Sequence, residues 1–261
     1  NMLNKLDVHA FCVACLKEAI ELRKEGFKQD ILIMGYTPIE QIKDVIHYDL
    51  IQTVVDLSYA QLLNSLKLKI KVHIKIDTGM HRLGERAEDL EGIKKIYECS
   101  YLQILGIYSH ICANDLSKKR DNEYAQHQLQ LFDEAILALV SDGIDVKKAH
   151  IQSSYSIFQF PECHYDYARV GAALYGVLAT RKDAKELAPS LRPVLTLKSL
   201  VAGIHHLEKG ELAGYDLQYE AKEKSVLATC SIGYVDGVPR ALSCGKGSVL
   251  IHGIKCPIVG R

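Results

Sequence analysis

A (β/α) barrel followed by an all-β domain is the architecture that this 261-residue sequence predicts. Two observations lead to it. Through the first part of the chain, short apolar or β-branched runs alternate with segments of helical periodicity, which is typical of repeated βα units around a parallel sheet. After about Leu187 the helical periodicity stops and long alternating runs separated by turns follow, which indicates a second, all-β domain.

The first domain, residues 1–188, is predicted to hold seven strands with helices between them. The strands are Ala10–Ala14, Ile31–Gly35, Leu50–Val55, Lys71–Asp77, Ile104–His110, Ala149–Gln152 and Arg169–Leu174. The helices are Leu16–Lys24, Ile39–Val45, Tyr59–Leu66, Ala87–Glu98, Asn122–Ser141 and Ser156–Phe160. A closed (β/α)8 TIM-type barrel needs eight strands, so we expect its first βα unit to lie outside these residues.

The second domain, residues 189–261, is predicted to be built from strands alone. They are Val194–Leu207, Ser225–Ile232, Gly247–Ile251 and Lys255–Val259. The last run stops at Arg261 within a strand pattern, so we expect the β domain to be truncated there.

The composition excludes several classes of function. Lys plus Arg (32) balances Asp plus Glu (32), so no net charge favours nucleic acid or an anionic membrane. No apolar stretch approaches the roughly 20 residues that span a bilayer. The eight cysteines stand in apolar contexts without framework spacing, which predicts a reducing, cytoplasmic location and no metal site.

The most informative segment is IKIDTGMHRLG, Ile74–Gly84, where an alternating apolar strand runs directly into charged residues. Lys75, Asp77 and Arg82 lie where a buried strand meets a Gly-containing turn. In a barrel, catalytic side chains gather at the carboxyl ends of the strands. The alternative is a strand terminus closed by structural ion pairs.

Candidate site residues also lie in or directly after the next three predicted strands. They are His110 and Asn114 for the fifth strand, His150, Ser153 and Ser154 for the sixth, and Arg169 and Gly171 for the seventh. Each alone has an ordinary structural explanation, such as a helix cap or a hydrogen-bonded core histidine. Serine hydroxyls and free backbone N–H groups at a helix start suit a phosphate. Together these strand ends predict a barrel mouth that binds an anionic cofactor.

Two tyrosines of the β domain are candidates for exposed functional groups. Tyr215 in LAGYDLQY and Tyr234 in CSIGYVDGVPR each follow a glycine, which predicts loop positions close to another backbone. Either tyrosine alone would more often be packing than catalysis.

Five segments, taken together and in order, resemble the alanine racemase family of pyridoxal-phosphate enzymes. They are DTGMHRLG, GIYSHICAND, HIQSS, ARVGAALYG and SIGYVDGVPR, and the likeness runs from about Asp7 to Arg261. HIQSSYS and YDYARVGAALYGVL look closer to the serine racemases of vancomycin-resistant bacteria than to housekeeping alanine racemases. The resemblance implies racemisation of L/D-alanine or L/D-serine with pyridoxal 5'-phosphate, which supplies D-amino acids for peptidoglycan precursors.

The resemblance also implies roles for individual residues. It implies a two-base proton transfer in a homodimer with shared active sites, because the tyrosine base comes from the β domain of the second subunit. Tyr215 resembles that base, His110 the histidine that hydrogen-bonds it, and Arg82 the residue that holds the tyrosine and the substrate carboxylate. The other implied roles are the ring-facing arginine for Arg169, the phosphate cradle for Ser154, Gly171 and Ala172, further cofactor binding for His150, a substrate-entrance tyrosine for Tyr234, and an often carbamylated lysine for Lys75.

The sequence departs from the family pattern in three places. The segment with the lysine that binds the cofactor covalently is not found, nor is the segment that follows PIVGR in the family. His81 stands where some members have Gly. A membrane anchor elsewhere in the full-length chain, as in resistance-type racemases, stays open.

Two other functions remain as alternatives. A decarboxylase with a barrel and a β domain would be expected to have different segments from DTGMHRLG. A barrel that only binds the cofactor would lack the β domain, so residues 190–261 argue against it.

Overall fold

Two compact units, Asn1–Val194 and Leu195–Arg261, make up the chain in this computed structural model. The structure describes residues 3–6, 8–113, 118–178, 181–187 and 190–260. The functional division predicted at residue 188, with cofactor binding before it, stays a prediction.

The first unit alternates strands and helices as the sequence predicts. Its strands are β1 (Ala10–Val13), β2 (Asp30–Ile33), β3 (Ile51–Val54), β4 (Ile70–Asp77), β5 (Glu85–Arg86), β6 (Leu102–Tyr108) and β7 (Lys148–His150). Its helices are α1 (Leu16–Lys24), α2 (Ile42–His47), α3 (Leu57–Ser65), α4 (Leu90–Tyr97), α5 (Lys119–Ser141), α6 (Ser154–Gln159) and α7 (Arg181–Leu187). The sheet order is β1-β2-β3-β4-β6-β7, all pairs are parallel, and β5 pairs with β4. The α/β fold class is therefore confirmed, as a part-barrel parallel sheet.

The strand β4 shows why the sheet forms where it does. Ile70, Val72, Ile74 and Ile76 are fully buried on one face of the strand, as expected when helices cover a parallel sheet. On the other face His73, Lys75 and Asp77 are also buried although they are polar, which places this face toward the interior of the barrel. The core thus lies between the sheet and its helices, and the polar face is left for a site.

The prediction of a seventh strand at Arg169–Leu174 is wrong. Arg169 makes one isolated parallel bridge to Ser153, and a 3₁₀ helix follows at Ala172–Tyr175. At Gly171 the backbone leaves the extended conformation (φ −116°, ψ −96°), and its N–H binds the hydroxyl of Ser154 instead of a neighbouring strand. The apolar pattern of this segment therefore reflects a turn that packs against α6.

The second unit is all-β, as predicted. Antiparallel pairs join β8 (Val201–Leu207) to β11 (Ser225–Cys230), β9 (Leu212–Ala213) to β10 (Tyr219–Glu220), and β12 (Ser248–Ile251) to β13 (Ile254–Pro257). Within the described range 195–260 only Ala221 and Gly247 are buried. Its side chains are therefore held mainly by strand pairing and short turns.

In the part of the chain that the structure describes, no helix is both long and apolar enough to cross a membrane.

Candidate active site

Asp77, at the end of β4, holds the turn that follows it. Its Oδ1 accepts the backbone N–H groups of Gly79 and His81, both at 3.0 Å, and its Oδ2 accepts Nδ1–H of the His81 ring at 2.9 Å. Burial raises the pKa of Asp77, but the hydrogen bonds from His81 and Gly79 outweigh it, so the pKa is lower than usual. The carboxylate is occupied by its own turn and is not a free base.

Lys75 lies two residues earlier on the same face of β4 and is buried. Its Nζ donates to the carbonyl of Ile76 at 2.6 Å and stands 5.6 Å from the ring centroid of Tyr108. Burial lowers the pKa of Lys75 to about 7; the charge of Asp77 opposes this, and those of Arg169 and Arg82 add to it. Near neutral pH the side chain is therefore partly an uncharged, nucleophilic amine.

Arg82 is exposed and, within the described part of the chain, makes no hydrogen bond or ion pair. It borders a small cavity of about 30 Å³ together with Lys75, Tyr108 and His110. No carboxylate lines this cavity among the described residues. A space bordered by two basic side chains and an imidazole suits a small anion such as a substrate carboxylate.

Arg169 is held by neutral acceptors. Its guanidinium donates to the carbonyls of Ser109 (2.6 Å), Ile151 (3.1 Å) and His150 (3.3 Å), and it lies 5.2 Å over the ring of Tyr108. No ion pair to Arg169 occurs in the described residues. The site therefore holds a fixed cation with no protein counter-charge, which favours an anionic or lone-pair ligand.

Three histidines are fixed in one tautomer each by this arginine. A guanidinium only donates, so Nδ1 of His110, at 3.2 Å, and Nδ1 of His150 both accept from Arg169 and carry no proton. The proton of His150 is then on Nε2, which donates to Nδ1 of His73 at 3.0 Å. Burial first, and then the charge of Arg169, lower the pKa to about 4 for His73, about 4 for His110 and about 2 for His150. All three rings are neutral at neutral pH.

Ser154 begins α6 and joins it to the turn after Arg169. Its Oγ accepts the N–H groups of Gly171 at 2.8 Å and Ala173 at 3.3 Å. The N–H of Ala172 has no partner among the described residues. The structure thus brings Ser154 and Gly171 into contact, and the phosphate cradle of Ser154, Gly171 and Ala172 stays a prediction.

The two predicted tyrosines lie in the second unit and are exposed. Tyr215 is 82% and Tyr234 67% exposed, and each begins a 3₁₀ turn directly after a glycine. The guanidinium of Arg240 lies 5.8 Å from the ring centroid of Tyr234. Their part in the site stays a prediction. Asn114, also predicted, lies outside the described residues.

Tyr108 and His73 are site residues that the sequence reasoning missed. Tyr108 is buried, its ring stacks on His150 with centroids 4.9 Å apart, and its hydroxyl is 3.0 Å from Thr53 Oγ1. A signal for His73 was available, because in KVHIKID it alternates with Lys75 and Asp77 and so shares their face. For Tyr108 the signal was a bulky polar aromatic just before a predicted site histidine.

The fold and the site define a part-barrel α/β protein that gathers basic and imidazole side chains at the carboxyl ends of its strands. The family model "Alanine racemase, N-terminal domain" matches residues 1–179, and "Alanine racemase, C-terminal domain" matches residues 194–261. The chain belongs to the alanine racemase family.

Relatives and solved structures agree with this assignment. The chain is 37% identical over 259 residues to an amino-acid racemase of Enterococcus faecalis and 35% identical over 259 residues to a serine/alanine racemase of Enterococcus gallinarum. Each match covers 99% of this chain, which spans 37% of the length of each relative.

Two solved structures have the same fold. An alanine racemase from E. faecalis superposes with a TM-score of 0.86 at 30% identity, covering 97% of this chain and 68% of that one. An alanine racemase from Bartonella henselae with covalently bound pyridoxal phosphate superposes at 0.82 and 28% identity, covering 99% and 70%.

Proposed function

We propose that the intact protein is a pyridoxal-phosphate-dependent racemase of alanine, serine or both. The observation that carries the proposal is the guanidinium of Arg169, which has carbonyl and imidazole partners and, among the described residues, no carboxylate partner. Family membership and the names of the relatives support the same reaction.

The donor set of the site fits this cofactor. Arg169 offers a permanent cation to a pyridine nitrogen, and His150 holds that cation in place. Ser154, Gly171 and Ala172 would hold the phosphate, with the hydroxyl proton of Ser154 and the N–H of Ala172 as donors. Bound pyridoxal phosphate withdraws electrons from the Cα of an attached amino acid and so acidifies its Cα–H.

Tyr215 would exchange a proton with one face of the substrate Cα. A tyrosine hydroxyl can both give and take this proton when neighbouring cations lower the cost of the phenolate. His110, whose tautomer is set by Arg169, presents Nε2–H as the group that would bind the phenol oxygen. Arg82, which has no partner in the described residues, would bind the substrate carboxylate, and Tyr234 would stand at the substrate entrance.

Lys75 is proposed to be carbamylated. The uncharged amine would attack carbon dioxide, forming an N–C bond and releasing one proton, to give a carbamate anion. Its burial and its pKa of about 7 supply the uncharged form. The carbamate would face Arg82 across the small cavity.

A homodimer with shared active sites is proposed as the working form, since Tyr215 is exposed in the second unit. Mixed dimers of a Tyr215→Phe chain with an Arg169→Glu chain should regain about one working site per dimer. In one of the two sites the unchanged barrel of the Tyr215→Phe chain would meet the unchanged Tyr215 of the Arg169→Glu chain. No recovery in verified heterodimers would place each site within one chain.

A cytoplasmic location is proposed from the eight free cysteines.

The reaction is tested with the intact protein, pyridoxal phosphate, and each enantiomer of alanine and serine in D2O. Racemisation should give both enantiomers with deuterium at Cα, without loss of carbon dioxide. Release of carbon dioxide would favour the decarboxylase, and cofactor uptake without either product would favour a cofactor carrier. Comparing the rates for alanine and serine determines the preferred substrate.

A further inference from the structure

The helix α5 carries one buried polar side chain that the proposed reaction does not use. Among its buried residues, which are otherwise apolar or alanine, Gln128 is fully inaccessible. A primary amide costs free energy in a core unless its oxygen and both its N–H groups find partners. The partners of this amide therefore indicate why it is there.

Gln128 brackets the backbone that carries His110. Its Nε2 donates to the carbonyl of His110 at 3.1 Å, and its Oε1 accepts the N–H of Cys112 at 3.0 Å. These bonds fix which end of the amide is nitrogen, because a carbonyl only accepts and a backbone N–H only donates. The side chain thus takes the place of a neighbouring strand just beyond the end of β6.

The same amide nitrogen also makes a second hydrogen bond, to a residue at the end of β4. Nε2 lies 3.4 Å from Thr78 Oγ1, which lies 2.8 Å from Ser109 Oγ, and Ser109 Oγ donates to the carbonyl of Ile76 at 2.8 Å. Since Ser109 donates to Ile76, Thr78 donates to Ser109 and Gln128 donates to Thr78. One directed chain of donors therefore ties α5 to the ends of both β4 and β6.

We infer that Gln128 is a positioning residue, which holds the backbone of His110 while Arg169 holds its ring. Ser109 directly precedes His110, and its carbonyl accepts a hydrogen bond from Arg169 at 2.6 Å. Arg169 and Gln128 therefore hold the same short segment from two sides. This inference rests on the proposed racemase, because it gives His110 the task of orienting the phenol of Tyr215.

Loss of the amide should release His110 without emptying the core. Methionine has a similar volume, but it leaves the His110 carbonyl and the Cys112 N–H unpaired, so the segment would shift toward water. Burial first, and then the charges of Arg169, Lys75 and Arg82 that face it, lower the pKa of His110. A more hydrated ring, farther from Arg169, would titrate at higher pH.

The test compares Gln128→Met with Gln130→Met in the intact holoenzyme. Gln130 lies on the same helix, is exposed, and binds only Glu134 among the described residues. Gln128→Met should lower kcat roughly ten- to a hundredfold with a smaller change in KM, as expected for a misplaced proton-transfer group. NMR titration of the His110 Cε1–H should show a higher pKa and a mixed tautomer, and Gln130→Met should change neither.

Gln128→Glu keeps the test decisive if the methionine variant does not fold. A protonated Glu has the shape of Gln and can donate to the His110 carbonyl, whereas a carboxylate cannot. Its kcat relative to the wild type should therefore be near one at low pH and fall as the acid ionises. A flat ratio, or Gln128→Met with wild-type kcat and an unchanged His110 resonance, overturns the inference. The NMR result does not depend on turnover, so it separates this inference from a failure of the racemase proposal.

Discussion

The two units of the chain hold their candidate functional groups in opposite ways. In the first unit, Arg169, Lys75 and His150 have their polar atoms bound to backbone carbonyls or to one another's neighbouring imidazole and guanidinium groups, in or beside a large core. In the second unit, Tyr215 and Tyr234 are exposed on short turns, and only Ala221 and Gly247 are buried among residues 195–260.

Because of this difference, substitutions in the first unit should affect both stability and activity, whereas substitutions of the exposed tyrosines should affect activity alone. A side chain that satisfies buried carbonyls cannot be removed without cost to the fold, so its variants mix two effects. An exposed tyrosine contributes little to folding, so its loss should affect only what it does to a ligand. Substitutions in the two units can therefore test whether stability and activity depend on different side chains.

Tyr215→Phe should lower the racemisation rate by roughly a hundredfold or more, with no change in thermal unfolding or cofactor absorbance. The hydroxyl is the only group removed, and an 82%-exposed ring has little packing to lose. Turnover in both directions and the unfolding midpoint are the measurements. Tyr101→Phe, at a partly exposed tyrosine of the first unit, is the control and should leave both unchanged. Near-normal turnover of Tyr215→Phe would remove this tyrosine from the reaction.

Arg169→Met should lower the free energy of unfolding by about 3 kcal/mol, because the carbonyls of Ser109, Ile151 and His150 lose their donor in the core. Arg82→Met, at an exposed arginine without partners in the described residues, should change it by no more than about 0.5 kcal/mol. Urea unfolding of both apo-proteins measures the difference. Equal losses of unfolding free energy in the two variants would mean that the hydrogen bonds of Arg169 do not stabilise the fold.

The contrast between these arginines also shows what the sequence could and could not predict. Strand ends are visible as an apolar run that meets charge, so Lys75, Arg82 and His110 are candidates from the pattern. Arg169 is a candidate only as a charge in an apolar segment, because the strand predicted there does not form. The environment of a side chain depends on residues far along the chain. Arg169 is bound by Ser109, 60 residues away, and nothing local to ARVGAALYG indicates that partner.

The missed elements have the same origin. The segment after Arg169 has a strand-like composition, but its N–H groups bind Ser154, so a turn forms. The helix α7 was not predicted at all, and the two-residue β5 is too short to give a pattern. Short apolar runs were sufficient to predict the six longer strands of the sheet, because burial on both faces of a parallel strand selects such runs directly.

Acid should destabilise the first unit through its neutral histidines. The folded pKa values of His73, His110 and His150 lie below the ordinary value of 6.5, so between pH 6.5 and 4 the unfolded chain binds protons that the folded chain does not. This stability is fully present above pH 6.5 and is lost as the pH falls. We expect each of the three histidines to contribute a loss of about 2 kcal/mol between pH 7 and pH 5, roughly 5 kcal/mol together, measured by urea unfolding.

Histidines of the second unit supply the control. His205→Ala and His206→Ala, at exposed positions, should leave the slope of stability against pH unchanged, whereas His73→Asn should reduce it. A slope that follows the exposed histidines would contradict the idea that burial in the first unit determines the pH dependence.

Lys75→Met should stabilise the apo-protein by about 1 kcal/mol at pH 7, because it removes an amine whose charged form is penalised by burial. The folded pKa is about 7 and the unfolded value 10.5, so between these the unfolded chain holds the extra proton. The penalty of the wild type is therefore full below pH 7 and shrinks as the pH rises. The gain from Lys75→Met should accordingly be smaller at pH 9.5 than at pH 7, in buffers free of carbon dioxide.

If Lys75 is carbamylated, it should differ from the exposed lysines in its reaction with carbon dioxide. With ¹³C-bicarbonate, a carbamate resonance should appear in the wild type and in Lys255→Met, a lysine of the exposed strand β13, and be absent from Lys75→Met. Bicarbonate should also reduce the stability difference between Lys75→Met and the wild type, since a carbamate beside Arg82 replaces a penalised amine with a paired anion. A resonance that survives in Lys75→Met, or a stability difference that ignores bicarbonate, would mean that Lys75 remains a free amine.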